Sequence, residues 1–285
     1  MQAYCRVAPS LGDLEGNHQQ VWGTCHYIYR KHKDKPTVFF GLYDLRDYIA
    51  LWRHKGRKWV LWAGSDLENL SSGFLFNDGK LRTLSKIFKG NKFIKPTLKR
   101  ATHFVENRYE KDMLNNCIGE FANIVPSFMG NVKDFPISYK HSENPNVYLS
   151  AHPGREEEYG FEIIERIANK VPECTFHLYG SDWKSIRKNV VCHGLVTKER
   201  FNADIRAMQC GLRLNKHDGF SEITAKSILM GQYPITKLFN PRIPNYFHEM
   251  ELVALLRNLK TMKKPNLKAR DYYISIINKY PWFSK

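Results

Sequence analysis

Four short polar segments in the second half of the chain carry residues suited to a phosphate-bearing ligand. They are Ala151-His-Pro-Gly-Arg155, Gly180-Ser-Asp182, Gly194-Leu-Val196 and His217-Asp-Gly-Phe-Ser-Glu222. Each follows a short apolar run, and the last opens a helical pattern. A helix N-terminus presents unpaired backbone N–H groups, which favour a phosphate. Arg155 supplies a guanidinium that can grip the same diphosphate. The plain alternative is a surface arginine at a helix start, where the helix dipole disfavours a cation. Glu222 reads equally as a ribose-binding carboxylate and as one that only stabilises the helix start. Lys226, one turn on, reads equally as a diphosphate contact and as part of a solvated helix face. Asp218 could serve only a turn, and Gly219 only backbone freedom.

These segments need a frame that brings strand ends together. From Asn146 onwards, strands and helices alternate. Val147–Ser150, Thr175–Tyr179, Val190–His193, Gly211–Asn215 and Tyr233–Thr236 read as strands. Helices are expected over Glu156–Lys170, from a Thr197 cap to about Met208, and from a Ser221 cap to Met230 with Gly231 just beyond. The first half alternates similarly, with strands at Tyr4–Ala8, Thr37–Gly41, Lys58–Ala63, Ala101–Glu106 and Asn123–Pro126. Helices are expected over His18–His32, Asp44–His54 and Tyr109–Asn115. Such alternation implies βαβ units and a parallel sheet. Residues 130–146, with Pro136 and Pro145, form the expected linker. The domains are therefore expected at 1–135 and 146–264, with a tail helix in 265–285. In open α/β sheets ligands sit outside the carboxyl ends of the strands, so each of the four segments is a site element.

In the first half, Asp66 ends the buried-looking strand Lys58–Ala63. It is a candidate general base, able to take a proton from an acceptor hydroxyl. The favoured plain reading is an N-cap for a helix over Leu67–Leu70. No cluster of Asp and His has metal-ligand spacing, and no resident metal or cofactor is expected. The six cysteines are scattered with no C-x-x-C pair, which suits free buried thiols in a reducing compartment. The first residues lack a basic stretch followed by an apolar one, so no signal peptide is expected. No run reaches the ~20 apolar residues that span a bilayer. A soluble protein of the cytoplasm is expected, or of a host's cytoplasm if the chain is phage-encoded. The net charge of +16 points to a polyanionic partner.

The order Phe176-His-Leu-Tyr-Gly180, Asn189-Val-Val-Cys-His-Gly194, Asp218-Gly-Phe-Ser-Glu222 and Gly231-Gln-Tyr-Pro-Ile235 resembles the C-terminal domain of GT-B glycosyltransferases. The resemblance covers about 90 residues. It extends more weakly to the first half, through the Gly12–Gly16 loop and the strand end Trp62–Asp66. It implies an α/β fold of two Rossmann-like domains facing across a cleft. It also implies a nucleoside-diphosphate sugar as donor, with a UDP-sugar favoured. Gly12, Gly16, Arg155, Gly180, Gly194, Leu195, Val196, Asp218, Gly219, Phe220, Ser221, Glu222 and Lys226 are the implied donor contacts. The tail helix would cross back to the first domain. One position departs from the pattern: the family's ribose-holding Glu stands eight residues after the loop Asp, and here that residue is Lys226, with Glu222 a possible substitute.

In this family the first domain takes the acceptor. Basic runs crowd it, at Arg30–Lys35, Arg53–Lys58 and Lys80–Arg100. A basic acceptor face suits DNA. The first acceptor reading is therefore a hydroxymethylated pyrimidine in DNA, flipped from the duplex, as in a phage-type DNA glycosyltransferase. The second is a lipid-linked or cell-surface glycan, reached by a peripheral enzyme on an anionic membrane surface. The third is a nucleic-acid-binding module with an inactive sugar-nucleotide site.

Overall fold

A computed structural model describes residues 2–14, 17–72 and 94–282. The chain forms two compact units, Met1–Gly130 with Ile276–Lys285, and Asn131–Ser275. Each is built on its own parallel sheet.

In unit 1 the strands are β1 (Tyr4–Val7), β2 (Cys25–His26), β3 (Thr37–Phe40), β4 (Lys58–Leu61), β5 (Thr102–Val105) and β6 (Ala122–Ile124). Their order is β2-β1-β3-β4-β5-β6, with every pairing parallel. All four residues of β3 and all four of β4 are buried, as expected of parallel strands covered on both faces. The described helices are α1 (Asn17–Trp22), α2 (Tyr29–His32), α3 (Leu45–Arg53), α4 (Ser65–Ser72), α5 (Ile94–Leu98) and α6 (Arg108–Ile118). Asp44 and Asp47 form a reciprocal capping box at the start of α3, and Asp47 also pairs with Arg6 at 2.7 Å. The single helix expected over His18–His32 is instead α1, a break at Gly23, β2 and α2. Pairing of Cys25 and His26 with the edge of β1 outweighs helix propensity there.

One face of this sheet carries Trp22, Phe40, Trp59 and Phe104 together with Tyr280 and Trp282 from the tail. Tyr280 and Trp282 stack at 4.4 Å, and Trp282 meets Phe104 edge-on at 4.9 Å. Such ring pairs stabilise beyond the area they bury. Asn278 fastens the tail: its amide donates to Phe128 O at 2.7 Å and accepts from Phe128 N at 3.0 Å.

Unit 2 has β7 (Asn146–Ser150), β8 (Thr175–Tyr179), β9 (Val190–Cys192), β10 (Cys210–Arg213) and β11 (Ile235–Thr236), in the parallel order β11-β10-β7-β8-β9. Its helices are α7 (Phe161–Ile167), α8 (Lys198–Ile205), α9 (Glu222–Leu229), α10 (Glu249–Asn258) and α11 (Leu267–Ile276). Thr197 caps α8 and Ser221 caps α9, each accepting from the backbone three residues on. The helix expected from Glu156 starts only at Phe161, because Gly160 stands in a left-handed conformation at its N-cap. Residues 131–145 are not a free linker. Phe135 and Tyr139 are buried, and Ser138 N and Tyr139 N both donate to Met230 O at 3.1 Å. The tail helix α11 packs within unit 2: Tyr273 stacks on Phe220 at 5.0 Å, and Arg270 donates to Leu229 O. From its last residue, Ile276, the chain belongs to unit 1. Among the described residues no helix is long and apolar enough to cross a membrane.

Candidate functional site

The strand order of unit 2 reverses at β7, which has β8 on one side and β10 on the other. At such a switch point the loops leaving the two strands diverge and open a crevice at their carboxyl ends, where ligands bind. The loop after β7 carries Arg155, and the loop after β10 carries Asp218–Ser221. Two of the four segments singled out from sequence thus flank the switch point.

Arg155 is half-exposed and forks onto Glu158, with contacts of 2.7 Å from Nε and 2.5 Å from Nη2. That hydrogen bond pushes its pKa up, so the guanidinium stays charged. Tyr159 lies beside it, with the guanidinium carbon 5.5 Å from the ring centroid. A second guanidinium, that of Arg213 at the end of β10, lies 4.4 Å from the same ring. Arg213 Nε donates to Asp218 Oδ2. Burial lowers the pKa of Arg213, but the Asp218 carboxylate more than offsets this and holds it above the ordinary value. One tyrosine ring is therefore in contact with two arginines, each tied to a nearby carboxylate.

Arg213 is not among the residues singled out from sequence, because it sits inside the strand-like run Gly211–Asn215 and not in the polar segment after it. The available signal was its spacing, five residues before Asp218. Beyond it, Asn215 is buried and its Oδ1 has no hydrogen-bond partner. Asn215, Arg213, Asp218, Ser221, Thr224 and Asn240 help line a cavity with about 10 Å³ of water-accessible space. That is room for one water at most. It lies under the Asp218–Ser221 loop and is too small for a sugar.

Ser221 Oγ accepts from Thr224 N at 3.1 Å and meets Thr224 Oγ1 at 2.8 Å. This cap leaves the N–H groups of Glu222 and Ile223 at the helix start. Phe220 is buried against Tyr273 and anchors the loop from below. Lys226 is neither solvated nor pointed at an open site. Its side chain is 5% exposed, and its ammonium sits 2.8 Å from Glu222 Oε2. The rings of Phe135 and Phe201 flank it at 5.8 and 5.5 Å. Glu222 and Lys226, weighed separately in the sequence, are one ion pair.

Gly180 and Gly194 end β8 and β9, and Gly180 N donates to Gly194 O at 2.8 Å. Gly180 has φ +90°, and a Cβ there would come within 2.2 Å of Ala151 O. No side chain fits, so the backbones at Ala151, Gly180 and Gly194 lie side by side as a smooth floor. Leu195 is exposed and Val196 half-buried just beyond. Behind this floor His193 stacks on Tyr179 at 4.2 Å, and His177 Nδ1 meets His193 Nε2 at 2.9 Å. Burial, then the neighbouring His193, lowers the pKa of His177 to about 4. This cluster is structural packing under the strand ends.

In unit 1 the strand order reverses at β1, and the loop after β1 carries Gly12. A Cβ on Gly12 would meet nothing within 4 Å. Gly16 lies outside the described residues. Asp66 is fully buried, and it lies inside the first turn of α4 rather than capping it. Its two oxygens accept from Leu42 N, Ala63 N and Leu67 N at 2.8–2.9 Å. Burial raises its pKa to about 6, with the backbone hydrogen bonds opposing. The carboxylate faces backbone amides, not solvent, and ties the loops after β3 and β4 together.

No family model and no curated protein matches the sequence. Solved structures do match the fold. The lipopolysaccharide outer core galactosyltransferase WaaB aligns over 99% of this chain and 96% of its own, at 13% identity and a TM-score of 0.58. TarM aligns over 88% of this chain and 53% of its own, at 14% identity and a TM-score of 0.57. The pneumococcal O-GlcNAc transferase GtfA, solved with UDP and GlcNAc, aligns over 86% of this chain and 55% of its own, at 9% identity and a TM-score of 0.54. The chain has the GT-B fold. It spans about half the length of TarM and GtfA. Identities this low speak to the GT-B architecture and not to the ligands of its members.

Proposed function

We propose that the chain is a glycosyltransferase that moves a sugar from a nucleoside-diphosphate sugar, a UDP-sugar first, to a hydroxyl acceptor. The observation that carries this reading is the meeting of the Arg155 loop and the capped start of α9 at the switch point of unit 2. Sugar transfer leaves negative charge growing on the departing diphosphate. A guanidinium and fixed backbone N–H groups stabilise such charge without reorganising. In this reading Arg155 trades part of its fork on Glu158 for the diphosphate, and Glu222 N and Ile223 N donate to it. Arg213 holds Asp218 and so fixes the Asp218–Ser221 loop against the donor sugar. Glu222, steadied by Lys226, takes the ribose hydroxyls in place of the family's usual Glu. The glycine floor at Gly180 and Gly194, with Leu195 and Val196, receives the base. Asp66 serves the scaffold of the acceptor unit and does not touch the acceptor hydroxyl. GtfA, solved with UDP, shares the fold and supports the choice of donor.

For the acceptor, a glycan hydroxyl takes first place over a hydroxymethylated pyrimidine in DNA. The DNA reading leaned on basic runs at the acceptor face. Arg30–Lys35 and Arg53–Lys58 instead precede β3 and β4, at the edge of the sheet remote from its carboxyl ends. Residues 80–93 of the third run lie outside the described residues. WaaB, matched over nearly its whole length, acts on lipopolysaccharide outer core, which supports a glycan.

The test is UDP titration by calorimetry, followed by transfer assays from a panel of UDP-sugars onto glycan and hydroxymethylated-DNA acceptors. UDP should bind, and Arg155→Ala should weaken it about 10- to 100-fold, the worth of charge-assisted hydrogen bonds. Failure of wild type to bind any nucleotide sugar sinks the reading. DNA retention without UDP binding would return the chain to a nucleic-acid-binding module.

A further inference from the structure

Two basic runs that lie some twenty residues apart in sequence are joined in unit 1. Lys55 N and Gly56 N both donate to Lys33 O, at 2.8 and 3.1 Å. Tyr27 Oη meets His54 Nδ1 at 3.1 Å. The approach is so close that a Cβ on Gly56 would stand 2.5 Å from Lys35 O. Gly56 is what lets the loops entering β3 and β4 lie against each other.

The combined surface is strongly one-signed. Arg30, Lys31, Lys35, Arg53, Lys55 and Arg57 are exposed, with Lys33 half-buried beside them and Asp34 the one carboxylate in these runs. Among the described residues none of these cations is in a salt bridge; Arg57 lies over the Trp59 ring at 5.0 Å. Apolar side chains emerge from the same segments: Ile28 is 45% exposed, Tyr29 41% and Trp52 50%. Both loops feed the amino ends of parallel strands, and the last turn of α3 returns to that same edge. Substrate loops occupy the opposite, carboxyl edge of such a sheet. These charges are therefore not part of an acceptor pocket.

We propose that this surface docks unit 1 onto an anionic lipid bilayer. Lysine and arginine are drawn to acidic headgroups, and tryptophan and tyrosine favour the level where headgroups meet acyl chains. An exposed aliphatic side chain such as Ile28 gains from an acyl boundary and gains nothing from a phosphodiester backbone. That favours lipid over nucleic acid. The inference is independent of sugar transfer, since it concerns the other edge of the sheet.

Vesicle flotation of the full chain tests it, with phosphatidylcholine alone and with about one-third phosphatidylserine, in parallel with duplex-DNA retention at the same salt. The chain should float with the acidic vesicles, release as salt rises, and ignore neutral ones. Each cation at the surface is worth about fivefold in binding. Combined Arg30→Gln, Lys31→Gln, Arg53→Gln and Lys55→Gln should therefore weaken flotation by roughly 600-fold. An equal neutralisation on unit 2, Lys184→Gln, Lys188→Gln, Lys264→Gln and Lys268→Gln, should leave most of it. Ile28→Ser with Trp52→Ser should weaken vesicle binding and spare DNA retention. Unchanged melting curves show that the variants are folded. Equal losses from the two quadruple variants, no flotation of wild type, or a loss confined to DNA retention would each overturn the proposal.

Discussion

Replacing Arg213 by leucine removes the guanidinium that holds Asp218 while keeping an apolar side chain over Tyr159. The Arg213 side chain is 16% exposed and that of Asp218 21%, so the pair is shielded from most screening by water. A charge-assisted hydrogen bond of this kind contributes about 1.5–3 kcal/mol, and the guanidinium over Tyr159 contributes roughly 0.5–1 more. Arg213→Leu should then destabilise unit 2 by about 2–4 kcal/mol. Part of that is the cost of taking the guanidinium away from a shielded carboxylate. Asp218→Asn removes the charge and should cost less. In the double variant the carboxylate charge and its guanidinium go together, so its cost should fall short of the sum of the two single costs. The coupling energy should be on the order of 1–2 kcal/mol, well above the 0.3–0.5 kcal/mol scatter of independent sites. Urea unfolding gives the free energies, and hydrogen exchange at the amides of β10 and α9 assigns the transition to unit 2, since two units need not unfold together. UDP affinity should fall in both single variants, because the Asp218–Ser221 loop loses its anchor. Strict additivity in stability, or a single variant that binds UDP like wild type, would refute the role of Arg213 in setting that loop.

Three further outcomes follow from the same geometry. Gly180→Ala forces a side chain onto φ +90° and against Ala151 O at 2.2 Å; the left-handed backbone alone costs about 1–2 kcal/mol. The total should exceed that of Gly194→Ala, whose φ is +69° but whose Cβ would meet open space, when both are compared by urea unfolding. Lys226→Met keeps the packing between Phe135 and Phe201 but frees Glu222. KM for the UDP-sugar should rise several-fold with kcat little changed in steady-state assays, and a fall in kcat alone would speak against the ribose role of Glu222. His103 is 1% exposed; Trp62 Nε1 donates to its Nδ1 at 3.2 Å, and its Nε2 meets Leu98 O at 2.9 Å. Burial lowers its pKa from 6.5 to about 4. The folded state then binds fewer protons than the unfolded chain in this window, so its stabilisation is complete above pH 6.5 and is lost as pH falls towards 4, by about 3 kcal/mol. Asp66, raised from 3.8 to about 6, works in the opposite sense across a similar window. The comparison of wild type with His103→Gln from pH 7 to 4.5 isolates the histidine, and equal slopes would exclude it.

Periodicity and turn chemistry were enough to place most of this architecture. Buried parallel strands such as Thr37–Phe40 and Thr175–Tyr179 are continuous apolar runs, and Thr197 and Ser221 are hydroxyl caps before helical patterns. These are local features, and local features survive in a bare sequence. The stretch His18–His32 departs from its helical pattern because its short edge strand is held by β1, about twenty residues earlier in the chain. Residues 130–146 read as a linker from sequence because the carbonyl of Met230 that binds Ser138 and Tyr139 is nearly a hundred residues away.

The sequence by itself determined the two α/β halves and the placing of the Arg155, Gly180, Gly194 and Asp218–Glu222 segments at strand ends. Those follow from side-chain size, backbone freedom and periodicity. Which charges meet was decided only by the tertiary structure. Lys226 turned inward to Glu222, Arg213 emerged from a strand to hold Asp218, and Asp66 disappeared beneath the backbone amides of two loops. The two basic runs, read as an acceptor face, came together at the other edge of their sheet because Gly56 leaves room for Lys35 O. Charge pairing depends on distances across the fold, and spacing along the chain does not encode them.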